Sequence, residues 1–244
     1  MAHSFLPLAL NDSFRFSCAE DIACFNECCR DLNQFLTPYD IIRLKTRLNL
    51  SSSLFLEQFT TRHTGPETGL PVIAFKPDPG LNHVCPFVTP AGCRIYEDRP
   101  ASCRMYPLAR AISRSRKTGK ITEHFALLKE SHCQGHRQST PQTVAAWIDA
   151  QGLRPYNTHN DLIMELIYRK NQLKPGPLAP EASQRFHLAL YDLDSFRNRA
   201  FQSAFFKQLT IDRPTYEQAR QDDTALLKVG INWLAETVLK WRTP

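Results

Sequence analysis

The distribution of cysteine is the feature that most constrains this 244-residue chain. Eight cysteines are present, and none lies beyond position 133. They are spaced as Cys18-x5-Cys24-x3-Cys28-Cys29, then Cys85-x7-Cys93-x9-Cys103, then Cys133 alone. Eight thiols equal the donors of two tetrahedral four-thiolate sites, which zinc favours and which iron–sulfur clusters also use. All eight are therefore candidate metal ligands.

The compartment decides what so many cysteines mean. The first ten residues contain no Lys or Arg, and the apolar stretch 5–10 is too short for a secretory signal. No apolar run approaches the ~20 residues of a membrane span. We therefore expect a cytoplasmic protein with no membrane partner. Thiols stay reduced in the cytoplasm, which favours metal binding over disulfides.

The adjacent pair Cys28-Cys29 limits how the thiols are shared. Neighbouring side chains point in different directions, so one mononuclear ion does not readily use both. Two separate sites, one site plus a free thiol, or a bridged multi-metal centre all stay open. We group Cys28 and Cys29 with different partners. Asp31 and Asn33 follow the pair and are interpreted as helix-start caps or as groups behind the ligands.

The surroundings of the second cysteine group fit a ligand loop. Prolines at positions 86, 100 and 107 would stiffen it. Arg99 and Arg104 could donate hydrogen bonds to thiolate sulfurs and tune a metal centre. Three histidines lie near cysteines and could each replace a thiolate, although a surface or capping role is more common for such a residue. They are His83, His132 and His136.

The stretch 93–107, CRIYEDRPASCRMYP, resembles a known family. It matches the pattern C-x-I-Y-x-x-R-P-x-x-C-R-x-Y-P of the YkgJ-type cysteine-cluster family over its full length. Cys28-Cys29 and the CPF sequence at 85–87 match two further marks of that family. The family is also described as the CxxCxxCC domain and is named for chelation of zinc or iron. The resemblance covers roughly 14–136 and implies that all eight cysteines are metal-site residues, with zinc and iron both open. The spacing before Cys28 is longer than in the family's name, which leaves the sharing of Cys18 and Cys24 open.

Composition and the positions of capping and turn residues predict an α+β fold that is mainly helical. We expect a small cysteine-rich metal-binding domain with short strands over 1–138 and a helical domain over 139–244. Only 9 glycines are present, which disfavours turn-rich all-β folds. The resemblance does not extend to the helical tail.

Hydrophobic periodicity and capping residues place the elements. Helices are predicted from Pro38 to Leu48, after Ser51–Ser53, over 143–150, from Asn160 or Asp161 to Asn171, over 182–209 with one break, and from Asp212 to the end. Strands are predicted over 70–75 and 94–96, and a hairpin over 110–128. We interpret 63–69 as a loop, 77–80 as a turn and 174–180 as a linker.

An enzymatic role is the main alternative, and we leave it undecided. Some relatives in the family are described as iron–sulfur oxidoreductases, and flagellin lysine N-methylases have a similar cysteine cluster. The sequence has no Gly-x-Gly, which removes the common dinucleotide and methyltransferase loops. It also has no HExxH motif and no recognisable nucleophile–base arrangement. No catalytic residue, substrate or protein partner can be assigned from the sequence.

A nucleic-acid-binding or other interaction module is the second alternative. The predicted hairpin carries five basic residues, which could form a phosphate-binding face on alternating strands. They are Arg110, Arg114, Arg116, Lys117 and Lys120. The net charge of +6 is mild, and no segment has the strongly basic character of a dedicated nucleic-acid binder. We favour a solvated hairpin tip and do not expect a nucleic-acid partner.

Overall fold

The computed structural model describes residues 4–30, 34–76, 84–115, 117–137, 140–202 and 211–241. In chain order, its strands are β1 (Ser4–Leu8), β2 (Ser13–Arg15), β3 (Phe35–Leu36), β4 (Thr60–Thr64), β5 (Pro71–Phe75), β6 (Val88–Thr89), β7 (Gly92–Cys93), β8 (Leu108–Arg114), β9 (Ile121–Lys129) and β10 (Pro141–Thr143). Its helices are α1 (Pro38–Leu48), α2 (Ser52–Phe59), α3 (Ala101–Met105), α4 (Val144–Ala150), α5 (Arg154–Leu173), α6 (Pro180–Leu190), α7 (Leu193–Gln202), α8 (Arg213–Gln221) and α9 (Asp223–Thr237).

These elements form two compact units, each built from separate stretches of chain. The first unit comprises Met1–Leu32 and Pro77–Tyr156, and the second comprises Asn33–Lys76 and Asn157–Pro244. The predicted domains 1–138 and 139–244 stay a prediction. The segment 33–76 clusters with the helical tail, and 139–156 clusters with the cysteine-containing segments.

The first unit is organised around an antiparallel sheet of order β1-β9-β8. Phe125 and Leu127 alternate with more exposed neighbours along β9 and enter the core, as the two-residue period of a strand requires. Phe16 meets Tyr106 and Trp147 edge to face, with ring centroids 5.6 Å and 5.7 Å apart. This aromatic core also packs against Cys133. Its other buried members are Phe14, Met105, Leu108, Val144, Ile148 and Leu153.

The second unit packs helices on a sheet of order β3-β5-β4, in which β5 is largely buried. A capping box starts α1, because Thr37 Oγ1 accepts from the Asp40 N–H while the Asp40 carboxylate accepts from the Thr37 N–H. Gly230 lets α9 approach α6 closely, since a Cβ there would lie 2.5 Å from the Ala189 carbonyl oxygen. Phe186 and Leu226 are fully buried in this unit.

The predicted fold class is confirmed, because helices predominate and the sheets are small and antiparallel. The first two predicted helices correspond to α1 and α2, and the hairpin corresponds to β8 and β9. The break in the predicted helical stretch 182–209 falls at 191–192, between α6 and α7. The predicted turn at 77–80 lies outside the described residues.

Four local predictions were wrong. The predicted loop after residue 62 is partly strand, because β4 continues to Thr64 and pairs with β5. The short strand lies at β7 rather than at 94–96, where a 3-10 turn begins at Tyr96. Helix α5 begins at Arg154, since Pro155 is tolerated in a first turn. The final helix is two helices, because extended Asp222 ends α8 and its carboxylate caps α9 at the Ala225 N–H.

None of the helices in the described part of the chain combines the length and the apolar character that a membrane crossing requires.

A partly buried ion network joins α1, α2, α7 and α9 in the second unit. The Lys45 ammonium lies 2.8 Å from the Asp223 carboxylate and 3.2 Å from that of Asp194. Asp194 also accepts from the Ser52 N–H at 2.7 Å and pairs with Arg197 at 2.7 Å. Burial raises the pKa of Asp194, but the Ser52 hydrogen bond and the Lys45 charge outweigh burial and hold that pKa below its ordinary value.

We predict that Asp194→Asn lowers the free energy of unfolding by about 1–3 kcal/mol at pH 7, because Lys45 loses one of its two partly buried carboxylate partners. A lowered folded-state pKa means that Asp194 contributes stability above its unfolded pKa of about 4, and that this contribution is lost as the pH falls through the folded value. The difference between wild type and variant should therefore shrink on acidification. Urea unfolding between pH 3 and pH 7 measures it.

Asp149→Asn is the matched control, because Asp149 forms only an exposed ion pair with Arg154. This control should change stability little at any pH. A loss in Asp194→Asn that is equal at pH 3 and pH 7 would contradict the assigned role of the Asp194 charge.

Candidate metal centre

All eight cysteines lie in the first unit, and all are free. Cys24 is buried, and the others are half-buried or exposed. They sit on loops and short elements rather than in the aromatic core. Cys18 and Cys24 follow β2, Cys28 and Cys29 lie in a 3-10 turn, Cys85 precedes β6, Cys93 lies in β7, Cys103 lies in α3 and Cys133 follows β9.

Cys18, Cys24 and Cys133 form what we call the first thiol group. The Ser17 N–H donates to the Gly135 carbonyl at 3.1 Å, which joins the loop after β2 to the loop after β9. The Gln134 N–H donates to Cys24 Sγ at 3.2 Å. The charges of Cys24 and Cys133 act on Cys18. Residues more than 100 positions apart in the chain are thus neighbours.

Cys29, Cys85, Cys93 and Cys103 form the second thiol group. The Cys85 N–H donates to the Cys29 carbonyl at 2.9 Å. Cys93 pairs with Val88 across the β6–β7 hairpin, which places it beside the turn that follows Cys85. The charges of both Cys85 and Cys103 act on Cys29. The second cysteine segment of the sequence therefore meets the CC pair.

Cys28 lies between the two groups. Its thiol is hydrogen-bonded to that of Cys29, and its charge acts on Cys18 in the first group and on Cys85 and Cys93 in the second. Asn26, in the left-handed conformation with φ of 67°, starts the turn that presents the pair. Its side-chain amide donates to the Thr89 carbonyl at 3.0 Å, which ties this turn to the β6–β7 hairpin.

One local arrangement occurs at three cysteines. The sulfur of Cys85 accepts a hydrogen bond from the backbone N–H of Phe87, that of Cys93 from Ile95, and that of Cys133 from Gly135. In each case the donor is two residues after the cysteine. Such bonds favour the thiolate, because a backbone N–H stabilises negative charge on sulfur. In all three cases burial is the larger effect, so the pKa of the thiol stays above its ordinary value.

Burial and mutual repulsion oppose the thiolates. Burial raises the pKa of Cys18 to about 11, and the charges of Cys28, Cys24 and Cys133 add to the rise. Burial likewise raises the pKa of Cys85 to about 11, despite two backbone hydrogen bonds. The hydrogen bond from Cys29 lowers the pKa of Cys28 to about 7. A bound cation would relieve this repulsion, since metal binding deprotonates coordinating thiols.

The two arginines singled out in the sequence brace the loop that follows Cys93. Arg104 is buried and donates to the carbonyl oxygens of Arg99, Gln151 and Glu97. The Arg99 guanidinium lies over the Tyr96 ring, 3.6 Å from its centroid, and its charge lowers the pKa of Cys93 against the larger effect of burial. Arg99 therefore acts on a thiol electrostatically, while the described hydrogen bonds of Arg104 go to carbonyls.

Tyr106 and Glu130 are residues that the sequence analysis missed. The Tyr106 hydroxyl donates to the Glu130 carboxylate at 2.9 Å and hydrogen-bonds Cys133. Burial raises the pKa of Tyr106, and the neighbouring Cys133 and Glu130 raise it further. Tyr106 belongs to the family-like stretch 93–107, which was the available signal. Glu130 follows β9 without a motif of its own.

The histidines and the polar residues after the CC pair are only partly described. His132 Nε2 lies 3.7 Å from the Glu130 carboxylate, and His136 packs on Phe16 with ring centroids 5.3 Å apart. His83, Asp31 and Asn33 lie outside the described residues.

On the hairpin, Arg110 pairs with Glu123 at 2.8 Å, and Arg114 donates to the Gly119 carbonyl. Arg116 is outside the described residues.

The thiols are neighbours without forming a closed coordination shell. Among residues 4–30, 34–76, 84–115, 117–137, 140–202 and 211–241, no three His, Cys, Asp or Glu side chains are placed to hold one metal ion. The donor set fits metal nonetheless, because eight free thiols fall into two neighbourhoods and three of them have the same thiolate-stabilising turn. Binding would draw the thiols closer together than they lie here.

Gly135 makes the junction between the loops of the first thiol group possible. A Cβ at this position would lie 2.6 Å from the Phe16 ring and 2.7 Å from the Ser17 carbonyl oxygen. We predict that Gly135→Ala lowers the free energy of unfolding by about 1–3 kcal/mol, because backbone or ring must shift. Urea unfolding tests this. Gln134→Ala keeps its backbone donor and is the control, and a Gly135→Ala protein as stable as that control would contradict the prediction.

Comparison with known proteins identifies a family for this chain. The sequence model of the CxxCxxCC family, described as "Putative zinc- or iron-chelating domain", matches residues 17–143, which contain all eight cysteines and more than half of the chain. No curated protein and no solved structure matches the chain. The family match confirms the resemblance seen in the sequence. This chain belongs to the CxxCxxCC family.

Proposed function

We propose that the chain is a metal-binding protein that holds zinc or an iron–sulfur cluster through its eight cysteines. The observation that carries the proposal is the repeated turn at Cys85, Cys93 and Cys133, in which the N–H two residues later donates to sulfur. A cysteine that merely packs as a small apolar residue needs no such donor. Recurrence at three cysteines from both thiol groups favours a common chemical role.

The two thiol groups suggest two sites. The first site would use Cys28 with the first thiol group, and the second site would use the second thiol group alone. This assignment gives four thiolates to each site and places Cys28 and Cys29 in different sites, as their side-chain directions favour. The ligands are Cys18, Cys24, Cys28 and Cys133 in one site and Cys29, Cys85, Cys93 and Cys103 in the other.

The residues around the sites would balance the charge of bound thiolates. Arg99 would offset negative charge near Cys93 and Cys103, which both act on it electrostatically. The Tyr106 hydroxyl lies against Cys133, while its single proton is donated to the Glu130 carboxylate. Zinc would supply a structural cross-link, whereas an iron–sulfur cluster would supply an electron-transfer centre. The free state of all eight thiols supports the proposed cytoplasmic location.

Metal and acid-labile sulfide analysis of anaerobically purified protein tests the proposal. We expect bound metal at a fixed stoichiometry. Iron with sulfide and a brown colour would identify a cluster, and colourless protein with zinc would identify a thiolate zinc site. Metal-free protein with eight titratable thiols and unchanged stability would refute metal binding.

The two-site assignment makes a further prediction. Cys133→Ser and Cys103→Ser should each remove about half of the bound metal, because each takes one of the four thiolates from a different site. The double variant should remove nearly all of it. Ser131→Ala is the matched control near Cys133 and should retain full metal content. Complete loss in either single variant would instead indicate one shared centre.

A further inference from the structure

The second unit contains a cleft of about 400 Å3 that the proposed metal chemistry does not use. Three arginines line it: Arg62 from β4, Arg185 from α6 and Arg199 from α7. Its volume lies in the range of small-molecule sites, about 300–1,000 Å3. We propose that this cleft binds a small ligand through a phosphate group.

The cationic side of the cleft is the first support. Guanidinium groups recognise phosphate oxygens with paired N–H donors, and several around one cleft favour a doubly charged anion. Within the part of the chain that the structure describes, Arg62 and Arg185 make no ion pair, so their donors are available.

Asp192 is an acidic residue that lines the cleft, and its carboxylate already accepts hydrogen bonds. Asp192 Oδ1 accepts hydrogen bonds from the Ser52 and Ser53 hydroxyls, both at 2.8 Å. The Ser53 hydroxyl is in turn 3.1 Å from the Ser195 hydroxyl, which lines the cleft. The Asp192 carboxylate is therefore hydrogen-bonded by serine hydroxyls and keeps its negative charge. Glu181 is a second acidic lining residue, so the three arginines exceed the carboxylates by one.

His187 and Leu188 also line the cleft. Burial lowers the pKa of His187, and the nearby Arg62 charge lowers it further against the opposing effect of Asp192. Arg62 and His187 line the same cleft. Leu188 offers an apolar surface beside the cations. A phosphate that carries a small organic group would contact both the arginines and Leu188.

Calorimetric titration of the full chain tests the proposal, with inorganic phosphate and phenyl phosphate as probes and sodium chloride at matched ionic strength as the blank. We expect saturable binding at a ratio of about one per chain. Tighter binding of phenyl phosphate would identify an organic phosphate as the ligand, and equal binding would identify phosphate itself.

Arg62→Gln and Arg185→Gln should each weaken binding about tenfold or more, because each removes charge-assisted hydrogen bonds. Arg213→Gln is the control, since Arg213 is exposed in the same unit and does not line the cleft. Unchanged urea unfolding would show that the variants fold. The proposal is overturned by absence of saturable binding at millimolar phosphate, or by equal weakening in Arg213→Gln. Metal content should not change in any of these variants, which keeps this test separate from that of the metal sites.

Discussion

Two backbone hydrogen bonds hold together the parts of the chain that carry the cysteines. The bond from Ser17 N–H to the Gly135 carbonyl joins the loops of the first thiol group, and the bond from Cys85 N–H to the Cys29 carbonyl joins those of the second. Both bonds close long loops of the chain, and closing a loop costs conformational entropy. Contacts between neighbouring residues do not offset this cost. The aromatic core around Phe16 supports the first junction, since that ring lies directly against Gly135.

Gathering eight thiols in one unit has an electrostatic consequence. Burial and neighbouring thiols raise the pKa of Cys18 and Cys85, while backbone N–H groups at Cys85, Cys93 and Cys133 act in the opposite direction. The protein thus directs hydrogen-bond donors at a charged form that its own burial disfavours. A bound cation would resolve this opposition, and the proposed metal sites account for the donors and the crowding together.

The sequence predicted well wherever a local signal decides the structure. The capping residues Thr37 and Asp40 set the start of α1, and the continuous stretch 93–107 is enough to indicate the family. The break at Asp222 also has a local signal, but the apolar periodicity continues across it and obscures the cap. Strand β1 was missed because Ser4–Leu8 has no polar alternation and acquires its structure by pairing with β9, more than 100 residues away.

The sequence does not predict which thiols become neighbours in the fold. The expectation that Cys28 and Cys29 have different partners follows from side-chain directions alone. Which partners they have depends on contacts between segments distant in the chain, and no spacing rule contains that information. Tyr106 was missed for the same reason, since its contacts with Glu130 and Cys133 exist only once β8 and β9 are folded.

X-ray absorption at the metal edge of the purified protein tests whether the cysteines bind the metal. We predict a first shell of four sulfur atoms per metal, at about 2.3 Å if the metal is zinc. A shell dominated by nitrogen or oxygen would contradict it, because the described thiols would then be bystanders to a site built from other residues.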